Sequence, residues 1–127
     1  MKIINIKIIV LYLTVSILSI GIAQAEQYLS ADKLKSAIIG KTFYAEHLKK
    51  GFKFKVYFDV DGSTAYRTTS DGISKTSYKF DGDKHCILWK DVDRCAKILD
   101  KGDGTYIRVK NGNHIMSWYK VVQGRDL

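Results

Sequence analysis

The chain has 127 residues, with 21 Lys and Arg against 13 Asp and Glu, a net charge of +8 and no proline. That length leaves room for one domain with a modest core rather than several. The basic balance favours anionic partners such as phosphate-bearing lipids, cell-wall carboxylates or an acidic protein face, without choosing among them.

Residues 1–25 read as a cleavable signal peptide. Lys2 and Lys7 precede an apolar run from Ile8 to Ile22, and Ala23-Gln24-Ala25 forms a small-x-small cleavage site before Glu26. The run is shorter than the roughly 20 residues that span a bilayer, so cleavage is expected over anchoring, and the remaining chain, 26–127, is expected to be a single β domain in the periplasm or outside the cell, with no transmembrane segment. Lys2 and Lys7 lie in this leader, which leaves 19 basic and 13 acidic side chains and a net charge of +6. Export makes nucleic acid an unsuitable partner.

Residues 29–39 are predicted to form one helix, with Ser30 as N-cap, Leu34, Ala37 and Ile38 on one face and Gly40 after the last turn. Beyond Gly40 the apolar period changes to two. Phe52, Phe54, Val56, Phe58 and Val60 form one face, while Lys53, Lys55, Tyr57 and Asp59 form the other. Turn signals at Asp61-Gly62, Asp71-Gly72, Asp81-Gly82, Gly102-Asp103-Gly104 and Asn111-Gly112 punctuate the pattern. Between them, strands are expected near 42–47, 52–60, 63–69, 73–80, 85–90, 95–99, 105–110 and 114–122. The fold class is thus mostly β: an antiparallel meander of about eight strands, closed as a small barrel or packed as a sandwich.

Cys86 and Cys95 fall on adjacent strands of an exported chain, with Lys90 to Arg94 as the loop between them. A structural disulfide is expected, since Cys-x8-Cys without paired histidines is not a zinc pattern. His47, His85 and His114 lie on three different strands and share no motif, so no metal ligand set is read from them. Asp59 to Ser63 and Asp81 to Asp83 resemble calcium loops only superficially, because glycine comes too early and no helices flank them. No nucleophile elbow occurs, Glu26 and Glu46 are the only glutamates, and no catalytic residue, metal or cofactor is expected. Two features could bind. Lys49, Lys50, Lys53 and Lys55 are the densest basic cluster, interleaved with aromatics, and are candidates for anion binding. Of the large aromatics, Trp89, Trp118, Tyr57 and Tyr78 are candidates for lining a ligand cavity, the plain alternative being that they fill the core.

An ordered set of features resembles a family of small exported bacterial proteins of unknown function. The set is Gly40-Lys41-Thr42 after a short helix, Tyr57-Phe58 with Asp61-Gly62, Cys86 with Trp89, Cys95, Gly104-Thr105-Tyr106, and Trp118 with Gly124. The resemblance implies a lipocalin-like β-barrel and brings no catalytic residues. The pattern is more loosely similar to small periplasmic lysozyme inhibitors, without their signature loop. The leading expectation is a non-enzymatic exported module that binds an anionic or amphipathic partner. The alternatives are a secreted or periplasmic inhibitor of a cell-wall hydrolase or other protein, and a hydrolase with an unrecognised site.

Overall fold

The computed structural model describes residues 26–127; the signal peptide read at residues 1–25 lies outside them. Eight strands close into an antiparallel up-and-down barrel. They are β2 (Lys41–His47), β3 (Lys53–Phe58), β4 (Thr64–Thr69), β5 (Gly72–Asp81), β6 (Lys84–Trp89), β7 (Val92–Asp100), β8 (Tyr106–Lys110) and β9 (Asn113–Gln123). Each pairs with the next, and β9 returns to β2 from Lys41↔Gln123 to His47↔Met116. A short strand β1 (Gln27–Tyr28), not expected from the sequence, pairs with Asp100 and Leu99 at the end of β7. Closure of the meander gives every barrel strand a neighbour on both sides, which removes the exposed edge that an open sheet would leave.

The seam between β7 and β8 is incomplete. It runs only from Asp100↔Tyr106 to Lys97↔Val109, so residues 92–96 of β7 have no β8 partner. On its other edge β7 pairs with β6 from Lys84↔Lys97 to Trp89↔Val92.

Helix α1 (Ala31–Ile38) plugs one end of the barrel by burying Leu34 and Ile38 completely. Ser30 is its N-cap by backbone position, but its side chain makes no capping bond; the Ser30 carbonyl accepts from Leu34 N–H instead. The helix stops where Gly40 takes a φ of +77°, and the glycine's N–H donates to the Phe58 carbonyl. A side chain here would strain the backbone, and its Cβ would lie 3.1 Å from Val60 Cγ1.

Above the helix the interior is aromatic. Phe43 lies 4.3 Å from Trp118 and 5.7 Å from Phe58, centroid to centroid, and Phe58 lies 5.0 Å from Tyr78. A second small cluster, Leu99, Ile107 and Val109, packs on the outer face of β7 and β8.

Two sequence expectations need correction. Phe54, Val56 and Phe58 do point inward, but β3 ends at Phe58 and Val60 is exposed in the turn. The reason is local: Asp59 N–H donates to the Thr64 carbonyl, and the chain reverses before the alternation reaches Val60. Phe52 likewise precedes the strand and is partly exposed at the barrel rim. The expected loop from Lys90 to Arg94 is instead a two-residue turn at Lys90 and Asp91, both with positive φ, so β6 and β7 pair up to Trp89↔Val92.

Cys86 and Cys95 are directly opposite in that hairpin and form a disulfide. The closed loop is short, and the chain-entropy estimate for it is about 2.5–3 kcal/mol. The Cys86→Ser, Cys95→Ser double variant is therefore expected to lose about 2–3 kcal/mol in denaturant unfolding while keeping the barrel's far-UV circular dichroism. An unchanged midpoint would show that the crosslink does not restrict the unfolded chain.

Candidate functional site: an arginine-lined cup at the open end

Up-and-down connectivity sends the connections 48–52, 70–71, 90–91 and 111–112 to the end opposite the helix. That end is not filled. A cup of about 410 Å3 opens between the strand ends, within the roughly 300–1,000 Å3 typical of small-molecule sites. Its deepest lining comes from Trp118, Val56 and Arg108, all buried; Phe54, Ile87 and Met116 form its middle, and Phe52, Trp89, His47, Lys50 and Lys90 its lip. Two other hollows, one beside Tyr28 and Lys84 and one along 74–77 and 88–91, lie between strands and are more open to solvent than the cup.

The cup is apolar but cationic. Arg67, on β4, holds its guanidinium carbon 4.0 Å from the Phe54 ring centre and 4.2 Å from that of Trp89. Stacking of this kind contributes about 0.5–2 kcal/mol per pair. Burial holds Arg67 below the ordinary arginine pKa, and its Nε is buried without a hydrogen-bond partner among the described residues.

Arg108, only 4% exposed, lies deeper. Its Nη1 donates to His85 Nδ1 at 2.6 Å, and its Nη2 donates to the carbonyls of His85 at 3.3 Å and Arg94 at 3.1 Å. Arg94 is thus tied to the cup by its backbone; its side chain is exposed at the mouth. The described ion pairs, Lys53–Glu46, Lys79–Asp93 and Lys97–Asp83, all lie on the outer wall, and none involves a cup arginine. A buried guanidinium answered only by neutral acceptors keeps a large part of its desolvation cost. Burial accordingly pulls the Arg108 pKa down to about 10, which leaves it charged at neutral pH.

His85 is fully buried against Phe58, at 4.7 Å between ring centres. Burial first, and the Arg108 charge second, hold it well below its ordinary pKa of 6.5. A charged arginine donating to Nδ1 requires that nitrogen to be bare, so the neutral ring carries its proton on Nε2. That Nε2 has no partner among the described residues.

Among the sequence candidates, Trp89 and Trp118 line the cup. Tyr78 faces inward but lies in the filled core, where its hydroxyl donates to the Asp59 carbonyl at 2.7 Å. Tyr57 is on the outer wall, stacked on Tyr66, because it alternates with the inward Val56 and Phe58. Lys50 is at the lip and Lys49 is exposed in the same connection. Lys53 and Lys55 share the outer wall, 3.9 Å from Glu46 and 4.6 Å from the Tyr44 ring centre respectively. The four lysines are therefore divided between the lip connection and the outer wall. Arg67, Arg108 and His85 were not singled out as binding residues from the sequence. Among the described residues no three of His, Cys, Asp and Glu approach closely enough to hold a metal ion, and no helix is long and apolar enough to cross a membrane.

No protein-family model matches the chain, and neither the curated proteins nor the solved structures contain a match to it. The resemblance to small exported proteins thus has the closed barrel in its favour and no family match.

Because the folded pKa of His85 is depressed, its contribution to stability is present above about pH 6.5 and is lost as pH falls, when the unfolded ring takes up a proton that the folded ring refuses. Nitrogen-15 NMR of the imidazoles is expected to find His85 still neutral and protonated on Nε2 just below the ordinary histidine pKa of 6.5, while thermal stability declines on acidification from neutral pH. A His85 ring protonated on both nitrogens at that pH would contradict the assigned bond.

Proposed function

We propose that the protein is an exported, non-enzymatic binding module that holds a small amphipathic anion in the open end of its barrel. The observation that carries this reading is the pairing of an apolar cup with Arg67 and Arg108, two arginines in the barrel interior that no carboxylate among the described residues answers. A ligand with an anionic head and an apolar body meets both demands. The head takes the charge-assisted hydrogen bonds that Arg67 Nε and the guanidinium edges can donate, and the body packs on Phe54, Met116 and Trp118. The short turns at this end favour ligand capture over inhibition through a protruding loop. Arg108 also has a structural task, since it ties β8 to β6 and β7 beside the incomplete seam. Arg67 is therefore the cleaner probe.

The test compares dodecanoate with dodecanol, followed by the fluorescence of Trp89 and Trp118. Dodecanoate is expected to bind at least tenfold more tightly, in keeping with about 1.5–3 kcal/mol for a hydrogen bond to a charged group. Arg67→Gln is expected to remove most of that preference while the barrel stays folded, its two ring contacts contributing about 0.5–2 kcal/mol each. Rising salt should weaken the carboxylate, because the screening length falls to about 8 Å at physiological ionic strength, whereas a chelator should change nothing. Equal affinity for the acid and the alcohol would sink the reading.

A further inference from the structure

The cup's rim has a composition of its own. Four of the large apolar side chains exposed on the protein lie in or beside the turns at the open end: Leu48 (43% exposed), Phe52 (41%), Ile73 (54%) and Val92 (56%). Val60, the most exposed of all at 73%, lies at the plugged end. Exposed apolar groups gathered at one end mark an interaction surface more strongly than the same groups scattered singly.

Charge is divided along the same axis. Lys49, Lys50, Lys90, Arg94 and Lys110 sit in or next to the mouth connections, against Asp71, Asp91 and Asp93. The turns of the plugged end carry Asp59, Asp61, Asp81, Asp83, Asp100 and Asp103 against Lys84 and Lys101. The barrel therefore presents a basic, apolar-tipped end and an end whose turns carry more acids than bases. Apolar tips of modest size ringed by lysine and arginine fit the boundary layer of a bilayer: the tips enter the headgroup–acyl region and the cations meet lipid phosphates. An acidic protein would answer the charges but leave four separate apolar tips without matching pockets.

We infer that the open rim docks on an anionic lipid surface, with Leu48, Phe52, Ile73 and Val92 in the interface and the mouth of the cup facing the membrane. In that orientation an amphipathic anion passes between bilayer and barrel without crossing bulk water. The docking surface stands on the rim residues and extends the cup reading without depending on it.

The experiment places a fluorescent reporter at each end of the full chain. Val92→Trp and Val60→Trp variants are mixed with vesicles of brominated phosphatidylcholine, with and without an equal part of brominated phosphatidylglycerol. The difference in emission from the unsubstituted chain is then read. The Val92→Trp signal is expected to shift to the blue and be quenched on the anionic vesicles, while Val60→Trp is unaffected. Partitioning should fall at least tenfold on pure phosphatidylcholine, and likewise when Lys49→Gln, Lys50→Gln and Lys90→Gln are combined, given the pull of an anionic surface on each nearby cation. Equal quenching at both ends would overturn the inference by showing undirected adhesion or attachment through another segment. So would a Val92→Trp response to soluble polyglutamate with none to vesicles, which would point to an acidic protein. Dodecanoate binding measured without vesicles reports on the cup separately, so loss of docking with binding intact defeats this inference alone.

Discussion

A positive charge inside a small β-barrel, bonded to a neutral imidazole and two carbonyls, is the constraint around which the open half of this protein is arranged. Arg108 cannot discharge at neutral pH, and its nearest acceptors carry no charge. Its neighbours are set accordingly. His85 is neutral with a fixed tautomer, Trp118 lies under the guanidinium at 5.6 Å, and the Arg94 carbonyl is taken from the stretch of β7 that β8 fails to reach. One side chain thus completes a strand seam and gives the cup a cationic base. Replacing it with an apolar group would disturb both, which is the usual difficulty with buried charge: loss of one member leaves its partners unsatisfied.

The two ends of the barrel divide the work of folding and of recognition. At the plugged end, Leu34 and Ile38 of α1 sit on the Phe43, Phe58 and Tyr78 cluster, and close packing there supplies the apolar burial that a domain of this size depends on. At the open end the interior positions change to Arg67, Thr76, Trp89 and Met116, and packing gives way to space. The disulfide between β6 and β7 and the two-residue turn at Lys90 and Asp91 hold one wall of that space in register without filling it. The proposed binding reading uses that rigidity, because a preformed cup spares a ligand the cost of ordering its walls.

Much of the architecture was legible from the period-two pattern and the Asp-Gly and Asn-Gly turns, which act locally and leave a mark in the chain. The number of barrel strands follows from them, while the helix was legible in the spacing of Leu34, Ala37 and Ile38 and the disulfide in two cysteines on adjacent strands. The cup was not legible, and β8 shows why. In Tyr106-Ile107-Arg108-Val109-Lys110 the apolar pair Ile107 and Val109 reads as the inward face, with arginine in solvent. The fold does the opposite: Ile107 and Val109 join Leu99 on the outer face, and Arg108 turns in beside Trp118. A strand with apolar residues on both faces has no phase until its neighbours are known, and those neighbours lie on other strands. Arg67 had a fainter signal, being two residues from the fully buried Ala65 on the same side of β4. The basic run at Lys49 to Lys55 was conspicuous because its four lysines are close together in the chain, yet the fold divides them between the lip and the outer wall.

The C-terminal residues fold back on the plugged half of the wall. Thr42 donates to the Gly124 carbonyl and accepts from Asp126 N–H, and the Tyr44 hydroxyl donates to Asp126. At the other terminus, Gln27 and Tyr28 are stitched to the last residues of β7 at the same end. The first and last of the described residues therefore both lie away from the mouth. A tether, tag or solid support attached at residue 26 or residue 127 would hold the barrel with its cup turned outward, so copies fixed to a support would form an oriented receptor layer.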